Sequence, residues 1–248
     1  MRLLDLFCGE GGAAAGYIAA GWTVHGVDLK GSAGNRYPGS DFVQTDALGF
    51  LMKYGHEYDA IHASPPCQGY TIATAGNPAA RAKHVRLIAA TRELLKLTGK
   101  PWVIENVEQA GRQMVDPILL CGRMFGLSAM DADGTPLVLD RHRLFESNVP
   151  LTAPAHPRHG REQVGGVYGG SRRAKRLPGE TLAEIAPRDR YAARVERGGG
   201  YVPRSVEVRQ QLLGIDWMTS KGMEESIPPV YAQHVGMQLL AAVSEAAA

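Results

Sequence analysis

Ser64-Pro65-Pro66-Cys67-Gln68 carries the clearest chemistry in the chain. It follows a strand-like apolar run at 58–63. Two prolines in series cannot continue a strand ladder or enter a helix interior, so the chain leaves that run on a stiff stem. Cys67 stands at the end of the stem, where an α/β protein presents a nucleophile. A Pro-Pro turn with an ordinary half-buried cysteine is the other reading, because thiolate reactivity depends on surroundings. Glu105 ends a second apolar run, 102–104, and precedes the uncharged Asn106. A carboxylate so placed is expected to be partly desolvated, with a raised pKa, which suits a proton or hydrogen-bond donor to a ring nitrogen. A carboxylate cap at a strand exit is the plainer alternative. Arg141 and Arg143 lie at i and i+2 in a strand-like stretch, 138–147, and are expected to form a cationic fork on one face. An exposed strand with a solvated basic face reads the same residues without chemistry.

Elements must hold these residues in place. Residues 3–7 read as a buried parallel strand, followed by Cys8-Gly9-Glu10-Gly11-Gly12 and a helix-forming run at 13–20. Strand, glycine-rich turn and helix bring backbone close to a nucleotide. The glycine spacing is not that of a dinucleotide site, and no phosphate-loop lysine is present, so the turn suits a nucleoside-type cofactor without a pyrophosphate. A purely structural tight turn is the alternative. Strands at 23–27 and 42–45 end at Asp28 and Asp46, carboxylates placed to accept from ribose hydroxyls and an exocyclic amine. Either can instead be a helix N-cap, Asp46 above all. Residues 68–84 hold small, polar and basic side chains, Arg81 and Lys83 among them, and read as a lid that starts at the nucleophile. A helix is expected at 85–97, a hairpin turn at 131–134, a helix at 205–213 capped by Ser205, and a final helix capped by Ser226 and packed on the sheet through Tyr231, Val235, Leu239 and Leu240.

The 248 residues suffice for one α/β domain with a small insertion. No apolar run reaches the ~18 residues of a membrane span. The start of the chain lacks a signal-peptide layout. Cys8, Cys67 and Cys121 are spaced unlike a zinc cluster, and Cys121 reads as a buried structural thiol, so no metal is expected. A reducing, intracellular setting is the simplest inference. Residues 151–213 hold twelve Lys and Arg against six Asp and Glu, whereas the flanking segments are mildly acidic. Arg172, Arg173, Lys175 and Arg176, interleaved with Gly and Tyr, suit phosphate contacts; a solvated basic loop is the alternative. Little packed core is expected in 151–204.

Four segments together resemble the DNA cytosine-C5 methyltransferase family: 5–12, Pro65-Pro66-Cys67-Gln68, Glu105-Asn106-Val107 and Arg141-His142-Arg143, in that family's order. Residues 205–214, Ile227-Pro228-Pro229 and Val235-Gly236 resemble its later motifs. The resemblance spans nearly the whole chain and is closest to a small, phage-like member. It implies an α/β, Rossmann-like sheet for S-adenosylmethionine with a small, irregular target-recognition region. Residues 1–150 would form the catalytic and cofactor-binding domain, 151–204 the recognition region, and 205–248 the helices that complete the catalytic domain. Cofactor contacts would come from Phe7, Cys8, Gly9, Glu10, Gly11, Asp28, Leu29, Asp46, Ala47, Pro66 and Ser226. Cys67, Glu105, Arg141 and Arg143 would be catalytic. Gln68, Arg81, Lys83, Arg172, Arg173, Lys175 and Arg176 would touch DNA. The partner would be double-stranded DNA, met by a monomer, with no membrane and no metal.

The implied reaction begins with Cys67 attacking carbon 6 of a cytosine flipped from the duplex, and methyl transfer to carbon 5 follows. The sequence departs from the family at Leu139, where Gln is usual, and at Glu224-Glu225, where Gly-Asn is usual. The recognition region is also short. Three alternatives share these residues: an RNA cytosine-C5 methyltransferase, a transferase using a modified S-adenosylmethionine, and a non-catalytic DNA-binding relative.

Overall fold

The computed structural model describes residues 1–30, 36–70, 85–167, 181, 184, 203 and 205–246. The first strand, β1 (Arg2–Leu6), is buried from Leu3 to Leu6. It has a parallel neighbour on each side, and its side chains are buried on both faces, as in parallel sheets covered by helices, so an unbroken apolar run is what fits. One neighbour is β2 (Thr23–Asp28), the other β4 (Ala60–Ala63). Beyond β2 lies β3 (Asp41–Gln44), and beyond β4 lies β5 (Trp102–Val107). All four of these pairings are parallel. Two further strands complete the sheet, β6 (Ile118–Leu120) and β9 (Arg143–Ser147), with β9 antiparallel to both of its neighbours, in the order β3-β2-β1-β4-β5-β9-β6. The chain therefore steps outward from β1 to β3 and returns on the other side with β4. The reversal between β1 and β4 is a topological switch point, and crevices at the carboxyl ends of such strands bind ligands.

Helix α1 (Gly12–Ala19) follows β1, α2 (Ala47–Tyr54) follows β3, and α3 (Ile88–Thr98) precedes β5. The last helix, α6 (Pro229–Ala246), lies along α1. Two glycines allow that approach. A Cβ on Gly16 would fall 2.0 Å from the Pro229 carbonyl oxygen, and one on Gly236 would fall 2.8 Å from the Tyr17 ring. The Trp22 indole donates to the Gly236 carbonyl at 2.9 Å. Tyr231, Val235 and Leu239 are buried as their spacing predicts, whereas Leu240 is half-buried. Beside the sheet, Glu146 of β9 is buried with both oxygens occupied: it pairs with Arg92 and accepts from the Val115 N–H at 2.9 Å.

This sheet with its helices forms one compact unit, residues 1–120, 142–153 and 229–248; residues 121–141 and 154–228 form a second. The second unit has its own three-stranded sheet, ordered β10-β8-β7, from β7 (Ser128–Met130), β8 (Pro136–Val138) and β10 (Gln163–Val164). The expected turn at 131–134 joins β7 to β8, with the Gly134 N–H donating to the Asp131 carbonyl. Helices α4 (Val206–Leu213) and α5 (Ser220–Glu225) belong to the same unit. Ser205 caps α4 by accepting from the Val208 N–H, and Gly214 ends it at φ +69°. Leu137, Leu139, Val167, Leu212, Leu213, Ile215 and Met223 form a core here. Leu139, at the position where a glutamine is usual in the family resembled, is therefore a core residue.

Three expectations change. The stretch 138–147 is not one strand: β8 and β9 are separated and belong to different sheets, so Arg141 is outside any strand. Ser226 closes α5 at its C-terminal end rather than capping α6, its N–H donating to the Gly222 carbonyl. The final helix packs on α1 rather than directly across the sheet; Tyr231 reaches β9 through an edge contact with Phe145. Among the described residues no helix is long and apolar enough to cross a membrane.

A buried polar chain runs from α1 to the end of β4. The Tyr17 hydroxyl and Nδ1 of His62 are 2.9 Å apart, and Nε2 of His62 is 2.9 Å from the Ser64 hydroxyl. Burial lowers the His62 pKa to about 3. The unfolded chain protonates this histidine near its ordinary 6.5, while the folded chain keeps it neutral. The His62 contribution is therefore complete above pH 6.5 and drains as the pH falls toward 3. Replacing His62 by Gln, which can still bridge Tyr17 and Ser64, should flatten that loss. In urea unfolding, wild type should lose stability relative to His62→Gln by up to about 1 kcal/mol per pH unit between pH 6 and 4; parallel curves would contradict the buried neutral imidazole.

Candidate functional site

The strand register sets the site. Leu6 pairs with Ala63, and Ala63 pairs with Ile104. One residue further along, Phe7, Ser64 and Glu105 stand side by side where β1 ends, β4 ends and β5 continues. The glycine turn, the proline stem and the buried carboxylate thus share one edge of the sheet.

The stem is held from several directions. The Ser64 N–H donates to the Leu6 carbonyl at 3.1 Å, which extends the β1–β4 pairing by one residue. The Asn106 side-chain amide donates to the Pro65 carbonyl at 2.8 Å, and its own carbonyl oxygen accepts from the Val107 N–H at 3.0 Å. Asn106 is therefore a clamp between β5 and the stem. Its role was not legible in the sequence beyond its being uncharged. The Tyr70 N–H closes a turn onto the Cys67 carbonyl at 2.9 Å. Pro65 is buried, Pro66 exposed, and Cys67 and Gln68 half-buried. Cys67 is in no disulfide and packs against the sheet core.

Glu105 is within β5, not at its tip, because β9 pairs with β5 as far as Val107. It is buried as its neighbours predict. Arg143 lies on the diagonal from it across the β5–β9 ladder, on the same face. The Arg143 Nε is 3.1 Å from Glu105 Oε1, and both side chains are less than a tenth exposed. Arg143 Nη1 also donates to the His142 carbonyl at 2.8 Å. Arg141 does not join it in a strand-borne fork. Its guanidinium donates instead to the Ser226 and Glu224 carbonyls at 2.6 to 2.9 Å, tying down the C-terminal end of α5. The fork fails because a change of sheet intervenes between 138 and 143.

The glycine turn carries backbone conformations that have a use. Phe7 has φ +58°, Gly9 +52° and Gly11 +83°. A positive φ at a bulky aromatic residue is a genuine outlier and occurs chiefly at functional sites. Gly9 faces open space: a Cβ there would meet nothing within 4 Å. Asp28 fastens the turn, its two oxygens accepting from the Gly9 and Lys30 N–H groups at 2.9 Å each. Leu29 beside it is exposed. Asp46 caps α2, with Oδ1 accepting from the Gly49 N–H at 2.7 Å, so the helix-cap alternative holds for this residue. Ala47 is buried behind it, and Glu10 is half-buried in the turn. Cys8 is buried, and burial pushes its thiol far above the usual range, which removes it as a nucleophile.

Asp5 is a site residue that sequence reasoning did not single out. It is fully buried in β1 and accepts from the Tyr37 hydroxyl at 3.2 Å, while Oδ1 has no hydrogen-bond partner. Burial pushes its pKa to about 8; the Tyr37 bond opposes this, and the charges of Asp28 and Glu105 add to it. At neutral pH Asp5 is therefore mostly protonated and can donate. The signal was present as the one carboxylate in an otherwise apolar strand.

In the second unit, Glu224 and Glu225 pair with Lys221 on their own helix, at 3.7 and 3.2 Å. The Ser226 hydroxyl donates to the Met223 carbonyl at 3.2 Å. Arg81, Lys83, Arg172, Arg173, Lys175 and Arg176, with most of the expected lid, lie outside the described residues.

No family model and no curated protein matches this sequence. Solved structures do. A protein of an E. coli prophage, described as a DNA modification methyltransferase, aligns over 99% of both chains with a TM-score of 0.55 and 17% identity. The Dnmt2 methyltransferase of S. pombe aligns over 98% of this chain and 99% of its own, with a TM-score of 0.59 and 15% identity. The α/β fold with its largely parallel sheet is thus shared, end to end, with these methyltransferases.

Proposed function

We propose that this protein is an S-adenosylmethionine-dependent DNA cytosine-C5 methyltransferase with Cys67 as its nucleophile. One observation carries the reading: the switch point of the sheet brings the glycine turn, the Cys67 stem and the buried Glu105–Arg143 pair to one edge of the sheet. The fold shared with two methyltransferases supports it.

The cofactor pocket fits its occupant in three respects. Open space faces Gly9, where a ligand can approach the backbone closely. Phe7 holds a left-handed conformation that turns the backbone out of β1 into the glycine turn, while its side chain packs against the sheet core. Asp28 is fixed at a strand tip by two backbone donors and retains lone pairs for hydroxyl groups. When bound, S-adenosylmethionine supplies an electrophilic methyl group. Residues of this chain do the rest. Cys67 Sγ, as thiolate, forms a bond to carbon 6 of the base and thereby makes carbon 5 nucleophilic. Glu105 hydrogen-bonds the ring nitrogen and exocyclic amine and favours that addition. Arg143 holds Glu105 in register and sets its positive charge beside the base carbonyl. After transfer the carbon-5 proton is lost, the bond to Cys67 breaks, and the thiolate returns. Reaching these groups requires the base to leave the duplex. Double-stranded DNA as the polymer, a monomer as the working form and 151–204 as the recognition region belong to the same proposal.

Expression in a methylation-deficient bacterium, followed by bisulfite sequencing, tests the reaction. Protected cytosines should appear in cellular DNA and vanish with Cys67→Ala. A parallel incubation of purified protein with labelled S-adenosylmethionine and either DNA or RNA separates the polymers. Label in RNA alone would move the assignment to RNA, and label in neither would overturn a methyltransferase. On DNA containing 5-fluorocytosine, wild type should form a covalent adduct and Cys67→Ala none, with cofactor binding retained; an adduct with the variant would mean another nucleophile. Glu105→Gln should reduce turnover by about a hundredfold or more while DNA affinity changes little. Equal losses in both would make Glu105 structural.

A further inference from the structure

We propose that the second unit holds a structural zinc ion on Cys121, His156 and His159. The sequence hides this set, since Cys121 stands far from the His-x-x-His pair and the three fit no finger spacing. The fold brings them together: their donor atoms lie within 4.8 Å of one another. The Cys121 sulfur is 3.6 Å from Nε2 of His159. Tetrahedral zinc, with Zn–S of about 2.3 Å and Zn–N of about 2.0 to 2.1 Å, places its sulfur and nitrogen donors about 3.6 Å apart. His156 and His159 stack with ring centroids 5.0 Å apart, so the two imidazoles arrive from one side.

The surroundings are built for a metal-bound imidazole. Nδ1 of His159, the nitrogen turned away from Cys121, is 3.3 Å from Asp140 Oδ2. A ligating histidine characteristically gives its other ring N–H to a carboxylate, which fixes the tautomer and strengthens the donor. Asp140 is in turn gripped by Arg123, which also pairs with Glu162 at 2.7 Å. Cys121 is fully buried, and its thiolate would need a cation beside it. Nitrogen and sulfur donors in this number favour zinc over the harder calcium and magnesium. The ion would staple the exposed segment that bears His156 and His159 to the start of the 3-10 turn Gly122–Phe125, which precedes β7. Among the described residues the unit has one three-stranded sheet and a core of its own, and small units gain most from a staple.

The test uses the full chain, freed of any affinity tag and prepared with zinc but without chelators. Elemental analysis should find one zinc per chain in wild type and at least a tenfold lower content in Cys121→Ser. Cobalt(II) exchanged into wild type should give the intense visible bands of a tetrahedral site and a thiolate charge-transfer band, both lost in Cys121→Ser. Asp140→Asn retains all three ligands and should weaken zinc in chelator competition by about 10- to 100-fold. Wild type that binds neither metal, or Cys121→Ser with undiminished zinc, would overturn the site and leave a plain S–H···N contact. Should Cys121→Ser fail to fold, the wild-type cobalt spectrum and Asp140→Asn still decide. None of these readings depends on methyl transfer.

Discussion

A carboxylate in the middle of a buried strand must find a charged partner or give up its charge, and the site depends on the first of these courses. Glu105 has Arg143, which arrives on β9 from the opposite direction. Taking both charges out of water is expensive, and removing one partner from such a pair typically costs about 3 to 5 kcal/mol. The antiparallel return of β9 is therefore more than an edge decoration. It delivers the guanidinium on the diagonal where a parallel strand would have required a long crossover. Glu146, two strand positions past Leu144, secures the same strand to Arg92 and the Val115 backbone. One ion pair faces the site and the other anchors the strand that carries it.

Around this pair Cys67 is positioned by contacts that do no chemistry. Asn106 holds Pro65 from one neighbouring strand, the Leu6 carbonyl holds Ser64 from the other, and His62 links Ser64 back to Tyr17. The prolines supply stiffness, but stiffness without anchorage would only move a rigid stem. Each anchor comes from a different element, so the place of Cys67 is a property of the whole sheet edge. The protonated Asp5 beneath the glycine turn belongs to the same logic: a second carboxylate near Asp28 and Glu105 is accommodated by losing its charge.

Much of this was legible in the sequence. Short apolar runs broken by glycine, Pro-Pro and strand-end carboxylates gave away β1, β2, β4 and their loops, because buried parallel strands leave little choice of residue. Cys67, Glu105 and Asp28 stand out for the same reason: polar groups at the ends of such runs need an explanation. What failed was anything that depends on pairing between distant segments. The span 138–147 looks like one strand because local pattern cannot reveal a change of sheet, and Arg141 was misplaced with it. Asp46 is a helix cap, as its sequence neighbours allowed. Asn106, Asp5 and His62 owe their roles to partners more than thirty residues away, on other strands or loops. The Cys121–His159 contact is illegible for that same reason, since no periodicity links its members.

The close contact of α1 and α6 bears on how the protein is made. Helix α1 begins at the glycine turn, and its packing face is supplied by a segment some 214 residues further along the chain. Domains generally fold as units while the chain emerges N-terminus first. Here the opening strand and turn must wait, with Gly16 and Tyr17 uncovered, until residues 229–246 have left the ribosome. A nascent chain stalled before that point carries every residue proposed for the base chemistry but lacks the support for its cofactor side. Formation of the proposed cofactor side is thereby tied to translation through residue 246.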